Sequence, residues 1–150
     1  MPDTPTTTAL TAAERRLALW LRGLAMLFTL GAIGALLWAD DVVRDLNAVG
    51  SLLRLRELPV PAGPMASDFW FALAVANLAG NAVCAWIAST DVRGRRAFAY
   101  PVVVSHLVSA GTALLLLVRW AAAFPTIALV VVDLAICAIL IGTLQAAKGR

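Results

Sequence analysis

An all-α membrane protein, a bundle of four transmembrane helices with a short amphipathic helix in the first outer loop, is the fold the sequence predicts, and three features predict it. Four apolar runs, at about 17–39, 69–89, 99–118 and 126–144, are each long enough to cross a hydrocarbon layer of ~30 Å as a helix. The chain of 150 residues is 61% hydrophobic and only 14% charged, with a mean hydropathy of +0.86, far from the values of a soluble domain. The polar residues that remain gather between the runs, where Pro, Gly and Arg mark the turns.

In chain order, 1–10 (MPDTPTTTAL) is rich in Thr and Pro without an apolar period and reads as a flexible tail. Thr11 and Glu14 have capping-box spacing and start a helix that carries Arg15 and Arg16 in its first turn. The first span, 17–39, is too long for a signal-peptide core and lacks a cleavage site. Arg22 lies inside it and is expected to reach back to the headgroups. Gly31 and Ala35 have the small-x-x-x-small spacing that admits a neighbouring helix.

The long connection 40–68 places Val42, Leu46, Val49 and Leu53 at helical spacing, the apolar face of a short helix on the membrane surface or over the bundle. Pro59, Pro61, Gly63 and Pro64 end it, and Ser67 or Asp68 caps the second span. A tight turn, TDVRGRR, separates spans two and three. Pro101 is tolerated in the first turn of the third span, and Pro125 opens the fourth.

The formal charge of +3 does not point to nucleic acid, because the basic residues sit in short clusters beside apolar runs and act as topology signals. Eight of them share one side: Arg15, Arg16, Arg22, Arg93, Arg95, Arg96, Lys148 and Arg150. The other side carries four, Arg44, Arg54, Arg56 and Arg119, together with most of the acids. The expectation is a multi-pass protein of a bacterial inner membrane with both termini in the cytoplasm.

The functional candidates are polar residues within the spans. Asp133 stands alone in the run 126–144, and a carboxylate at that depth demands a partner or a job. Asn77, Asn81 and Cys84 form one stripe of span two; Ser105, Ser109 and Thr112 form another on span three, bordered by His106, the chain's one histidine. Counting about 1.5 Å per residue from the outer ends puts Asn77 level with Asp133, and Asn81 level with His106 some 8 Å deeper. The expected arrangement is one polar seam joining spans two, three and four. Asp133, His106, Asn77, Asn81 and Ser109 are then candidates for ligand binding or proton relay, against the plainer reading that they are interhelical hydrogen bonds with Asp133 satisfied by Asn77.

Other chemistries find no support in the sequence. One histidine cannot form a bis-His haem site, and no P-loop, G-x-S-x-G, H-E-x-x-H or EF-hand pattern is present. No metal site is expected, no cofactor is indicated, and Cys84 and Cys137 read as packing residues. A soluble-type active site is not expected.

With its long outer loop bearing a helix, its basic turn DVRGRR and the acid in VVVDLAI, the chain resembles the small DoxX-like membrane proteins of bacteria. That family is functionally mixed and includes members tied to oxidoreductase complexes, so the resemblance implies a fold more than an activity. Three readings follow. The first is a protein that binds a lipophilic ligand or serves as an accessory subunit of a membrane complex. The second is a small oligomeric transporter or proton-coupled channel, and the third a membrane redox subunit. The expected partners are membrane lipids and either further copies of the chain or a larger membrane complex.

Overall fold

A computed structural model describes residues 9–58, 64–120 and 122–148. Most of the expected tail, and Pro59, Pro61 and Gly63, lie outside the described residues. Four long helices follow one another: α1, Ala12–Leu52; α2, Pro64–Thr90; α3, Ala99–Trp120, entered through a 3-10 turn at Arg96–Phe98; and α4, Phe124–Lys148. Each contains a stretch long and apolar enough to cross a membrane. The chain is a multi-pass membrane protein with the expected all-α, four-helix architecture.

Local chemistry accounts for the ends of these helices. The capping box forms as expected: Thr11 Oγ1 accepts from the Glu14 amide at 3.2 Å, and the Thr11 amide donates to Glu14 Oε2 at 2.7 Å. α2 starts at Pro64, at the first helical position where proline costs nothing, so Ser67 and Asp68 fall within the helix instead of capping it.

The first outer helix differs from expectation in its connection, and of the two facings expected for its apolar stripe it shows the one turned away from the bundle. It is continuous with the first span across a kink at Trp38 (φ −141°, ψ 30°). Val42, Val49 and Leu53 are exposed and Leu46 is half-buried, whereas Asn47 and Gly50 are buried. The most deeply buried positions are therefore polar or small. Gly50 rests on Phe124 so closely that a Cβ there would meet the Phe124 Cβ at 2.9 Å. Asn47 bonds both backbone groups of Leu58, donating from Nδ2 to the carbonyl and accepting at Oδ1 from the amide, each at 3.0 Å.

The helix ends in a Schellman motif. The Leu55 amide donates to Gly50 O and the Arg54 amide to Ser51 O, with Arg54 in the left-handed region (φ 56°) where glycine is usual. The chain then runs beside the α3–α4 turn, where the Arg56 amide donates to Ala122 O. Gly50→Val should drive this cap off α4 and cost about 1–3 kcal/mol, read as a lower unfolding temperature in detergent. An unchanged midpoint would mean the cap does not bear on the bundle.

α1 packs on α2 and α3 on α4, α1 closes the ring against α4, and α2 meets α3 more sparsely. The densest core lies in the half nearest the termini, where Leu17, Leu21, Leu24 and Phe28 of α1 meet alanines of α2, Val102 and Val103 of α3, and Leu140 and Leu144 of α4. Small residues on α2 let the helices approach closely. Outward faces are apolar, with Leu19, Leu30 and Val118 all well exposed, as a lipid-facing surface requires. Gly31, expected to admit a neighbour, faces Leu78 of α2.

At the end that holds both termini, Arg93 of the α2–α3 turn grips the start of α1. Its Nε donates to Glu14 Oε1 at 2.6 Å and its Nη2 to Glu14 Oε2 at 2.8 Å and to the Ala9 carbonyl at 3.1 Å. The Glu14 carboxylate raises the proton affinity of Arg93 above its ordinary value. In the same turn the amides of Gly94 and Arg93 donate to Asp91 and hold its carboxyl below the usual range. Arg96 Nη2 caps α4 at the Ala147 carbonyl, 3.0 Å.

Candidate functional site

α3 and α4 run antiparallel in a register set by their contacts: Arg96 to Ala147, Val103 O to Cys137 Sγ at 3.6 Å, and His106 to Asp133. His106 Nδ1 lies 2.7 Å from Asp133 Oδ1, both side chains buried, at 9% and 4% exposure. The contact needs one proton between them, carried either by the imidazole or by the carboxyl group. Phe28 of α1 stacks on the imidazole, centroids 5.1 Å apart and planes inclined at 26°, so three helices meet at the pair. The pair sits at the upper edge of the dense core, with Cys137 one turn below Asp133 on α4.

Among the described residues, His106 Nε2 and Asp133 Oδ2 are buried with no hydrogen-bond partner. An unpaired buried polar atom costs about 1–3 kcal/mol, and more where it carries charge. Such a cost at two adjacent side chains calls for a partner, for which an ordered water would suffice.

The remaining candidates form a second cluster. Asn81 Nδ2 donates to Ser105 Oγ at 3.0 Å, and Ser105 Oγ donates to Asn77 Oδ1 at 3.0 Å, bridging α2 and α3. Asn81 is buried, Ser105 half-buried and Asn77 exposed. Ser109 is half-buried and bonds to neither cluster.

The expected single seam is thus two separate groups, and the proposed partnership of Asn77 with Asp133 does not occur. Asp133 meets His106, although counting from the outer ends put them some 8 Å apart. The count treated the outer ends of all spans as level, whereas the α3–α4 register brings these two residues together.

Phe28 was not singled out from the sequence as part of the site. Its signal was present, since Leu17, Leu21, Leu24 and Phe28 repeat at the spacing of one buried helix face. Among the described residues no group of three or more His, Cys, Asp or Glu side chains is placed to hold a metal ion. Both cysteines are free, Cys137 buried and Cys84 half-buried. Comparison of the chain with protein-family models, with curated proteins and with solved structures gives no match.

Proposed function

We propose that this is an inner-membrane protein of bacterial type that binds a lipophilic small molecule bearing a polar group at the His106–Asp133 pair, alone or as an accessory subunit of a larger membrane complex. One observation carries the reading: Nε2 and Oδ2 are buried beside a stacked phenyl ring and have no hydrogen-bond partner among the described residues. A ligand supplying a donor, an acceptor or both to these atoms recovers hydrogen bonds that the fold leaves unmade, and its apolar body suits the hydrocarbon around them. The layout resembling DoxX-like proteins is compatible with an accessory role.

Purification in mild detergent followed by mass spectrometry of the bound small molecules tests this. The expected result is one lipophilic compound at near-stoichiometric ratio. Recovery of bulk phospholipids alone would count against the reading.

A second reading, a small oligomeric transporter or proton-coupled channel, is favoured by the proton that the pair must hold. It requires a continuous aqueous route past Asp133, which proton-flux measurements in liposomes would reveal.

The proposed orientation, both termini in the cytoplasm, rests on the clustering of basic residues at the end that holds Glu14, Arg93 and Arg96. In a variant with Cys84 and Cys137 replaced, a single cysteine at Ser51 should react with an impermeant maleimide from outside intact cells, and one at Thr90 should not. Labelling at Thr90 instead would invert the topology.

A further inference from the structure

Arg22 makes no hydrogen bond or ion pair among the described residues, although it lies on an apolar span six positions beyond Arg16, about 9 Å deeper along the helix axis. A guanidinium at that depth needs an anion or a path to the headgroups. Starting one turn further along α1, between α1 and α2, runs an apolar groove of about 440 Å³. Its floor is made by Ala25 and Ala82, both buried, and its walls by the exposed Met26 and Leu30 on α1 and Val83 and Trp86 on α2. The hydroxyl of Thr29, which also lines it, is turned back onto the Ala25 carbonyl at 2.8 Å, so it is already engaged with the chain's own backbone. Arg22, Met26 and Leu30 are spaced four apart and line one side of α1, which puts the guanidinium at the groove's end nearest the termini.

We propose that this groove and Arg22 together bind one anionic phospholipid of the surrounding bilayer, an acyl chain lying between Met26, Leu30, Val83 and Trp86 and the phosphate taken by the Arg22 guanidinium. The volume falls within the ~300–1,000 Å³ of small-molecule sites. Long side chains on a helix lean toward its start, here the end where Arg15, Arg16 and Arg95 are exposed, and a planar guanidinium matches a phosphate through two parallel hydrogen bonds. A second copy of the chain fits less well. Among the described residues the acids at that end are Glu14 and Asp91, and both are already engaged, Glu14 by Arg93 and Asp91 by the amides of Arg93 and Gly94. A neighbouring protomer would therefore cover Arg22 with hydrocarbon and leave its charge unmet. The site stands apart from the His106–Asp133 pair and does not depend on its ligand.

Trp86 lines the groove and reports on it directly. The full chain is reconstituted in phosphatidylcholine vesicles containing phosphatidylglycerol, with bromine on the acyl chains of one lipid or the other, and the Trp86 signal is taken as the difference between wild type and Trp86→Phe. Phosphatidylglycerol should quench that signal with about five-fold preference over phosphatidylcholine, the discrimination expected from one basic side chain at an anionic headgroup. The preference should vanish in Arg22→Gln and persist in Arg22→Lys. Equal quenching by the two lipids in wild type, which needs no variant to fold, would overturn the proposal. So would a preference unchanged by Arg22→Gln. Absence of quenching by either lipid would mean that protein covers the groove, and would overturn it as well.

Discussion

Asp133→Asn should give a folded, membrane-inserted protein that has lost its ligand. The amide can still meet His106 Nδ1, as donor or acceptor according to the imidazole tautomer, so the contact that joins α3 to α4 survives and no charge is left in the core. Stability should stay within about 1 kcal/mol of wild type or rise, because a buried carboxylate carries a desolvation burden that an amide does not. The loss falls on the second oxygen. Asp133 Oδ2 becomes an amide nitrogen or the site loses its titratable proton, and either change removes what a ligand or a transferred proton would use. Retention of the copurifying compound should fall at least about ten-fold, equivalent to about 1.4 kcal/mol. His106→Gln should cost less, since it keeps a polar group near Asp133 while losing the Phe28 stack. An Asp133→Asn protein that keeps its ligand in full would make the pair interhelical glue.

The second large effect is expected at Asn47. Its amide satisfies both the N–H and the C=O of Leu58 and holds the loop against the buried face of the kinked helix. Asn47→Asp keeps the acceptor but sets a carboxylate oxygen against the Leu58 carbonyl, so one bond is replaced by repulsion in a buried position. The expected cost is about 2–3 kcal/mol, with faster proteolysis within 53–58 in membranes exposed on that side. Val49→Asp changes an exposed residue and should stay within about 0.5 kcal/mol of wild type. The opposite order, a sensitive Val49 and an indifferent Asn47, would mean that the apolar stripe, and not Asn47, meets the bundle.

That contrast shows how far the sequence could be read. Four spans, the capping box at Thr11 and the turn at 91–95 were legible because each depends on local chemistry: length of apolar run, a Thr with a Glu three residues on, a Gly among arginines. Asp133 and His106 were legible as residues too polar for their surroundings. Their pairing was not, because it depends on the register of α3 against α4, and a vertical shift of a few residues between helices leaves no trace in the hydropathy pattern. The cap is the same case. Val42, Leu46, Val49 and Leu53 have helical spacing, but in a membrane protein an apolar stripe can face lipid as well as core. Burial went instead to Asn47 and Gly50, chosen by the close approach of Phe124 and the bonds to Leu58.

Because His106 is the only histidine in the chain, labelling with ¹⁵N-histidine gives one imidazole to observe, and its two nitrogens report the paired and the unpaired atom separately. The measurement is the ¹⁵N spectrum of the detergent-solubilised protein as purified, after removal of the copurifying lipophilic compound, and after its return. If the pair is the binding site, the Nε2 resonance shifts on removal and recovers on return, while Nδ1 keeps the signature of its bond to Asp133 throughout. An Nε2 resonance that stays fixed through all three states would contradict a ligand at this site.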